Sequence, residues 1–435
     1  MTDISMIKPL DPSPETRVPP IDGLIASLPL RPLGRGFDLL DGIRVIDLTT
    51  SVAGPSATML LADMGAEVLK IERPDGGDDA RAWGPPFLDG ESLWFMSVNR
   101  NKKSIALDYS RPEGLDVLHR LVRHADVVVM NLPSRSARKL GVDAQTLCAL
   151  KPDLIYVSIT GFGMTGERAD WACYDLIAEG YSGIMDITGE ADGAPQKIGA
   201  PAADMLAGQD AAFATVSALL SKQRTGRGHV LDIALVDSMT RFLGCRIMPY
   251  LASGDVPTRS GGKDSVIAIY QSFDTKDAPI TLALGNNNIW QRFWDVVGRP
   301  AVASDPDLQT NASRRERRQQ IVETIQELLR TKPRDHWLAL FRASRIPSGP
   351  INRVDQVVDD AVLRERGMFY RVHVNGCSVP QIGTGIQVDG MANAPRGMPP
   401  RLGEHTDMVL HTLLGMSETD RKPFTDNNTT ARNGL

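Results

Sequence analysis

Two short segments hold the residues with the clearest capacity for chemistry: the pair Tyr174 and Asp175, and residues 198–208. The second segment places a lone carboxylate, Asp204, among Gly and Ala residues, in a sequence without a cluster of metal ligands or a Ser/His/Asp spacing. Such a carboxylate can act as a nucleophile, as a base, or as the N-cap of the apolar helix that follows. As a nucleophile it would attack an acyl thioester and form a mixed anhydride. The local sequence leaves these alternatives open.

The composition is that of an ordinary globular protein. The chain has 435 residues, of which 42% are hydrophobic and 23% are charged, so it is long enough for a large core and more than one domain. With 48 basic and 53 acidic residues, the net charge is −5. This balance argues against nucleic acid or an anionic membrane as the main partner.

The cysteines and the hydropathy pattern predict a cytoplasmic protein. Four cysteines are scattered without a CxxC spacing, which favours a reducing compartment: Cys148, Cys173, Cys245 and Cys377. Because of its neighbours, Cys173 is an alternative candidate for a nucleophile. No segment has the apolar length needed to cross a bilayer, and residues 1–36 form an extension that lacks the pattern of a secretion signal.

Alternating strand and helix patterns predict how these residues are positioned. Residues 43–48 and 67–72 have strand character and flank an apolar helical pattern that stops at Gly65. The cycle continues with the following segments: helix 112–124, strand 126–130, helix 143–150 and strand 154–159. This order predicts an α/β fold with an open, Rossmann-like parallel sheet. A GxGxxG motif does not follow the first strand, which argues against a nicotinamide site.

A change of composition around residues 253–264 predicts a boundary between domains. A smaller α/β unit follows, with these segments: strands near 266–273 and 280–284, and helices near 288–297, 314–331 and 335–344. A turn at 346–350 closes this unit. Beyond residue 355 the pattern predicts irregular chain, ending in a short helix at 406–414. Before the boundary, residues 204–222 read as a long helix with small residues on one face.

Several short motifs occur in a fixed order between residues 39 and 414: residues 40–48, 53–55, 65–74, 99–105, 159–163, 222–228, 346–350 and 402–406. In order and spacing they resemble the type III CoA-transferases, the CaiB/BaiF family, whose fold the α-methylacyl-CoA racemases share. The resemblance implies an interlocked homodimer, with a large domain assembled from both chain ends and a smaller inserted domain. The expected division is 1–36 (extension), 37–250 (large CoA-binding domain), 251–350 (small domain) and 351–435 (return to the large domain).

The resemblance also assigns the reaction. It implies that Asp204 is the nucleophile of a CoA-transferase, although Ala203 stands where the family usually has Gly. Racemases carry His where this chain has Tyr174, and racemisation needs two bases across one carbon. Tyr174 therefore favours transfer over the alternative of a racemase or epimerase. A non-catalytic CoA-binding scaffold is a further alternative, which the retained Asp204 and a retained glycine loop at Gly261 and Gly262 disfavour.

Matching positions imply a CoA site. By resemblance, Arg73 contacts the nucleotide, Lys139 lies on the phosphate side and Leu107 on the adenine side. Further residues of the cofactor-binding set are Val52, Ala53, Asn131, Leu132, Tyr174 and Asp175. Formyl-CoA transferases have Gln in place of Val52, which argues against formyl-CoA and oxalate as substrates. No metal and no permanently bound cofactor are implied, only a CoA thioester as substrate.

Residues 76–87 and 270–277 resemble succinyl-CoA:dicarboxylate transferases of the glutarate type. The implied reaction moves CoA from succinyl-CoA to a dicarboxylic acid through an aspartyl anhydride and an aspartyl-CoA thioester. Arg81, beside Trp83, is the candidate partner of the free carboxylate of the substrate. Gly261 and Gly262 match a mobile glycine loop that closes over the anhydride and excludes water.

Overall fold

The computed structural model describes residues 21–374 and 376–430. The strands in these ranges are β1 (Arg44–Asp47), β2 (Glu67–Glu72), β3 (Phe87–Leu88), β4 (Glu91–Ser92), β5 (Lys102–Ala106), β6 (Val127–Met130), β7 (Ile155–Thr160), β8 (His229–Ala234), β9 (Tyr270–Phe273), β10 (Ile280–Ala283), β11 (Ser348–Pro350), β12 (Phe369–Val374), β13 (Cys377–Ile382), β14 (Gln387–Val388) and β15 (Met391–Ala392). The helices are α1 (Ile21–Ser27), α2 (Ala53–Asp63), α3 (Leu93–Ser97), α4 (Pro112–Arg123), α5 (Ser134–Lys139), α6 (Ala144–Leu150), α7 (Asp175–Ser182), α8 (Ile184–Ile187), α9 (Ala202–Thr225), α10 (Leu235–Phe242), α11 (Gly244–Ser253), α12 (Asn287–Val296), α13 (Pro300–Ala303), α14 (Asn311–Glu316), α15 (Arg318–Leu329), α16 (Arg334–Ala343), α17 (Val354–Val358), α18 (Ala361–Glu365), α19 (Thr406–Thr412) and α20 (Glu418–Thr430).

The large unit is built on a parallel sheet with the strand order β5-β2-β1-β6-β7-β8. Helices α2 and α9 pack on one face of the sheet, and α4, α6 and α19 pack on the other. Strands such as β6 are apolar throughout because both of their faces are buried. The predicted α/β fold with an open parallel sheet is confirmed. Strand order reverses between β1 and β6, which creates the crevice where ligands bind in folds of this type.

The small unit carries an antiparallel sheet with the order β11-β10-β9, covered by helices around an aromatic core. The predicted turn at 346–350 is wrong in part, since Ser348–Pro350 forms β11 and pairs with β10. The predicted helix at 314–331 is divided into α14 and α15 at Arg317. Trp290, Trp294 and Phe341 fill the core beneath the sheet.

The chain beyond residue 355 is more regular than predicted. Strands β12 and β13 pair antiparallel, as do β14 and β15. The chain then returns to the large sheet, where the amide of His405 donates to the carbonyl oxygen of Ser104 (2.9 Å) and the amide of Ala106 donates to the hydroxyl of Thr406 (3.0 Å). Helix α19 completes the core on that face. The exact domain boundaries stay a prediction.

Residues 1–20 of the predicted extension lie outside the described part of the chain. In residues 21–36, the amide of Arg31 donates to the carbonyl of Arg371, and the amide of Arg371 donates to the carbonyl of Pro29, both at 2.9 Å. The described end of the extension is therefore held against β12. Across the described ranges, no helix combines the length and the apolar character needed to cross a membrane.

Candidate active site

Asp204 lies in the first turn of α9, whose N-cap is Pro201. The alternative that Asp204 caps this helix is therefore wrong. Asp175 takes that role, since its Oδ1 accepts the amide hydrogens of Ala203 (2.8 Å) and Asp204 (3.3 Å). Within residues 21–374 and 376–430, the structure shows no hydrogen bond to the Asp204 carboxylate. The Asp204 carboxylate is therefore available to react or to bind a ligand.

Asp204 lines a cleft of about 280 Å³ at the carboxyl ends of β1, β6 and β7. Three of the predicted residues lie with it: Ala53, Asn131 and Tyr174. The cleft adjoins the point where strand order reverses, which is where an open α/β sheet offers a binding crevice. The structure therefore brings the predicted nucleophile together with part of the predicted CoA-binding set.

Burial and charge give the Asp204 carboxyl an unusual acidity. Burial, with a further contribution from the neighbouring Asp175, raises its pKa from 3.8 to about 7. Near neutral pH both the acid and the carboxylate are then present, and the carboxylate is more basic than an exposed one. These properties suit a nucleophile or a base.

Cys173 lines the same cleft. Burial, together with the charge of Asp204, raises the pKa of its thiol to about 11. Because the thiolate is the nucleophilic form, a thiol of this acidity is inert near neutral pH. The geometry therefore favours Asp204 over Cys173.

The turn at residues 51–55 faces Asp204 from the end of β1. Val52 is the buried N-cap residue of α2, and Ala53 begins the helix, where the first amides have no intrahelical partner. Ser51 adopts a left-handed φ of 71°, held by the donation of its amide to Asp78 (2.9 Å). Ser51 and Ala53 both line the Asp204 cleft, and amides without intrahelical partners at a helix start are suited to stabilise an oxyanion.

Glycines bring this turn close to α9. A Cβ on Gly208 would lie 2.2 Å from Ser56 Oγ and 2.7 Å from the Ala53 oxygen, so only glycine permits this approach. A Cβ on Gly54 would lie 2.3 Å from Thr49. Both positions need glycine because helix, turn and strand meet here almost without intervening side chains.

A buried charge network lies beneath the turn, and sequence reasoning missed it. Lys102 Nζ donates to Asp47 (3.0 Å) and to the Pro55 carbonyl (2.8 Å), and Lys70 Nζ donates to the Thr49 carbonyl (2.8 Å). Burial, opposed by Asp47, lowers the pKa of Lys102 to about 8. The lysines of β2 and β5 were the available signal, but the sequence does not reveal their partners.

Glu179 is a second residue that sequence reasoning missed. It lies one helical turn after Asp175 on α7 and is fully buried. Its Oε2 accepts the amide hydrogen of Ile198 (2.8 Å), at the start of the segment that leads to Asp204. Burial raises the pKa of Glu179, and nearby Asp175 adds to the rise. Helix α7 thus holds this segment at Ile198 through Glu179 and at Ala203 through Asp175.

The remaining CoA-site residues are more dispersed. Asn131 binds the turn through Thr50. Its side-chain oxygen accepts from the Thr50 amide (3.1 Å), and its side-chain nitrogen donates to the Thr50 carbonyl (2.8 Å). Arg73 is exposed and pairs with Asp79, which lines the cleft (2.6 Å). Leu132 packs on the core, and Lys139 ends α5 as an exposed residue. Leu107 is 1% exposed, so its side chain offers no surface to an adenine ring.

Arg81 requires a correction. Its guanidinium donates to both oxygens of Glu72 (2.8 Å each), reaches Glu91 (3.3 Å) and lies over the ring of Phe95. Its side chain is only 9% exposed. The expected pairing with a substrate carboxylate has no support in these contacts, because the donors of Arg81 are already used within the fold. Trp83 packs edge-on against Trp94 instead of lining the Asp204 cleft.

The two glycines of the predicted loop lie on the small unit. Gly261 has a φ of 63° and donates to the Gly189 carbonyl (2.9 Å), and a Cβ there would lie 2.5 Å from Glu190. Gly262 lines a separate cleft beside β9 and β10. Neither glycine lines the Asp204 cleft. The described residues also hold no group of three or more side chains suited to a metal ion.

Comparison with known proteins gives a consistent result. The sequence model of CoA-transferase family III matches residues 40–406. The chain is 40% identical over 388 residues to the succinate–glutarate CoA-transferase of Agrobacterium fabrum, covering 87% of this chain and 97% of that protein. It is 37% identical over 382 residues to the succinyl-CoA:glutarate CoA-transferase of Mus musculus, covering 87% of each. A crystal structure of a CaiB/BaiF family protein from Brucella suis superposes with a TM-score of 0.75 at 38% identity, covering 86% of this chain and 98% of that one.

Proposed function

Since the chain belongs to CoA-transferase family III and is therefore a CoA-transferase, we propose that it moves CoA from succinyl-CoA to a dicarboxylic acid, with Asp204 as the nucleophile. The proposal rests on one observation, the state of Asp204. Its half-buried carboxylate accepts no hydrogen bond from the described residues, has a pKa of about 7 and lines the same cleft as Ala53. The names of the similar proteins support succinyl-CoA and a dicarboxylic acid as the substrate pair.

The reaction proceeds through two anhydrides. The Asp204 carboxylate attacks the thioester carbonyl of the donor, the carbon–sulfur bond breaks, and CoA leaves as the thiolate. The thiolate attacks the aspartyl carbonyl of the anhydride, which releases succinate and leaves an aspartyl-CoA thioester. The acceptor carboxylate attacks this thioester, and CoA leaves again. The thiolate then attacks the acceptor carbonyl of the second anhydride, which gives the new thioester and restores Asp204.

The surrounding residues support these steps. Backbone N–H groups at Ala53 and Gly54 stabilise the oxyanion, and Arg73 and Lys139 meet the phosphates of CoA. Asp175 keeps Asp204 at the start of α9 and raises its pKa. Asn131 fixes the turn, and exposed Tyr174 forms part of the cleft wall.

Trapping tests the proposal directly. Hydroxylamine added with succinyl-CoA should convert the activated aspartate to a hydroxamate, which mass spectrometry locates at Asp204. The Asp204→Asn variant should show neither the adduct nor CoA transfer, while Cys173→Ser should keep both. An adduct elsewhere, or transfer by Asp204→Asn above a few per cent of the wild type, would refute this role. Exchange of an α-proton with deuterium in place of CoA transfer would indicate a racemase.

The assembly we propose is an interlocked homodimer. Helix α9 buries Ala207, Ala211 and Ala218 in the core, while Phe213 on another face of this helix is 75% exposed. Further large apolar side chains are exposed nearby in sequence: Val216, Leu220, Phe242, Met248 and Leu251. So much exposed apolar surface favours a covering partner, and a second copy of the chain is the partner implied by the family resemblance.

The compartment we propose is the cytoplasm. All four cysteines are free thiols, and this usage favours a reducing environment. Measured partition of the protein between cell fractions tests the assignment.

A further inference from the structure

Helix α7 carries a buried glutamate that the reaction steps above do not use. The side chain of Glu179 has no accessible surface. It lies four residues after Asp175, and residues four apart face the same side of a helix. Asp175 in turn contacts the start of α9 at Asp204, so three acidic residues are neighbours here. Carboxyl groups this close cannot all ionise without a cost, because each charge disfavours the next.

The two oxygens of the Glu179 carboxyl have different surroundings. Oε2 accepts the amide hydrogen of Ile198 (2.8 Å). Oε1 is also buried, and in the described chain it has no hydrogen-bond partner. Because the oxygens of a carboxylate can only accept, an ionised Glu179 would leave Oε1 unsatisfied at a cost in stability. A proton on Oε1 turns this atom into a donor and removes that cost.

The charged groups around α7 do not supply a counter-ion for Glu179. On the helices packed against α7, these groups are Asp186 of α8, Asp204 and Asp210 of α9, and Asp237 and Arg241 of α10, while the basic residues of α9 are in its last turn. Arg241 pairs with Asp210. Lys197 is close in sequence, but it is exposed and its Nζ donates to the Ile198 carbonyl (2.9 Å). A negative charge on Glu179 would therefore be buried without a paired cation.

Asp175 is the better of the two positions for a negative charge. Its Oδ1 accepts two amide hydrogens at the start of α9, where the helix dipole also stabilises an anion. Both contacts use Oδ1, which leaves Oδ2 to a further donor. Burial raises the pKa of Glu179, the Ile198 amide opposes this rise, and Asp175 adds to it through its charge and a side-chain hydrogen bond. A proton shared by this pair therefore belongs on Glu179.

We infer that Glu179 keeps its proton at a pH where exposed glutamates are ionised, and that it donates this proton in a hydrogen bond to Asp175. Glu179 is then a positioning residue, which holds Asp175 under the first turn of α9 and Ile198 in the segment that leads to Asp204. Because it is neutral, it adds no second negative charge beside the nucleophile. The positioning role rests on the proposed function, whereas the protonation of Glu179 does not.

The pH dependence of stability tests the proton. Glu179→Gln replaces the acid with a neutral amide of similar shape, which can donate to Asp175 and accept from Ile198. Above the ordinary glutamate pKa of 4.5, the unfolded wild type releases a proton that the folded protein keeps, so its stability falls as pH rises through the folded pKa. The urea midpoint of Glu179→Gln should therefore rise relative to that of the wild type between about pH 5 and 8.

The matched control is Glu327→Gln, which changes an exposed glutamate of α15. Its difference from the wild type should stay constant with pH, because an exposed carboxyl is in water in both the folded and the unfolded chain. For Glu179→Gln, a difference that stays constant or falls as pH rises would overturn the inference.

Activity tests the positioning role. The kcat/KM of Glu179→Gln for succinyl-CoA should decline at low pH at the same point as in the wild type, because one neutral side chain replaces another. If Glu179 were ionised, the substitution would remove a negative charge near Asp204 and move this decline to lower pH, which would overturn the inference. Glu179→Leu lacks both hydrogen bonds and should lower kcat about tenfold. An unchanged kcat in Glu179→Leu would show that Glu179 has no positioning role.

Hydroxylamine trapping separates this inference from the proposed mechanism. If the wild type gives the hydroxamate at Asp204 but Glu179→Gln displaces the pH profile, the mechanism stands and the inference fails. If the wild type gives no hydroxamate at Asp204, the mechanism and the positioning role both fail, and the urea midpoints still decide whether Glu179 holds a proton.

Discussion

Replacing Asp175 with Asn should shift the pH dependence of the enzyme. The substitution removes the negative charge beside Asp204 but keeps an oxygen that can accept the amide hydrogens of Ala203 and Asp204. Because a nearby like charge raises the pKa of a carboxyl group, its removal must lower the pKa of Asp204. The variant therefore separates the charge of Asp175 from its capping role.

The size of the effect follows from the two causes of the raised pKa. Burial is the larger cause and Asp175 the smaller, so Asp175 accounts for less than half of the rise from 3.8 to about 7. The pKa should thus fall by no more than about 1.5, equivalent to about 2 kcal/mol. At pH 6 about a tenth of wild-type Asp204 is ionised, and the largest expected shift would raise this fraction about eightfold.

The assay is kcat/KM for succinyl-CoA as a function of pH, which reports ionisations of the free enzyme. The wild type should lose activity as pH falls through about 7, because the protonated carboxyl cannot attack. The profile of Asp175→Asn, scaled to its own plateau at high pH, should be displaced to lower pH. Asp175→Ala is the companion variant, since it also loses the cap and should cost about 1 kcal/mol of stability. An unshifted or upward-shifted profile in Asp175→Asn would refute this account of Asp204.

Three other variants test separate features. Arg81→Met should lower the free energy of unfolding by about 3–5 kcal/mol, because buried Glu72 loses its arginine partner. Urea unfolding measures this loss, and a stability equal to the wild type would contradict the assigned pairing. Gly208→Ala should lower kcat at least tenfold while the protein stays folded, since the new Cβ displaces the turn at Ala53. An unchanged kcat would mean that this turn has no part in the reaction. Phe213→Asp should convert a species of twice 47.4 kDa into monomer in light scattering; a monomeric wild type would exclude the dimer.

The sequence was sufficient to predict strands such as β1, β2, β6 and β7 of the large sheet because their patterns are local, but the edge strand β5 was missed. Strand β2 was predicted with its observed bounds, and α4 differs by one residue, since continuous apolar runs and helical periodicity depend on near neighbours. Strands β11, β12 and β13 were missed. Short antiparallel strands are defined by partners distant in the chain, such as Thr281 for Gly349, and the local pattern around them resembles a loop.

The active site was predictable only where a motif identifies it. The role of Asp204 as nucleophile is implied by the resemblance to the family and stays a prediction, while its position in the cleft beside Ala53 is observed. The predicted role of Arg81 did not anticipate its pairing with Glu72. Glu72 is a buried carboxylate that also accepts a hydrogen bond from Ser104, and the strand pattern around it gives no sign of that burial. Leu107 and Glu179 show the same limit, since burial depends on the packing of other segments and cannot be derived from either residue alone.

The buried charges beneath the turn restrict which amino-acid substitutions the fold tolerates there. Lys102 and Asp47 are both inaccessible to water, so removing either one deprives the other of its nearest counter-ion, whereas replacing both with apolar residues leaves no broken pair. Mutations at the two positions should therefore be strongly epistatic, with each harmful alone and the pair tolerated for folding. Random mutagenesis that accumulates single changes would record both sites as invariant, and only libraries that vary them together could find other residue pairs beneath the turn at residues 51–55.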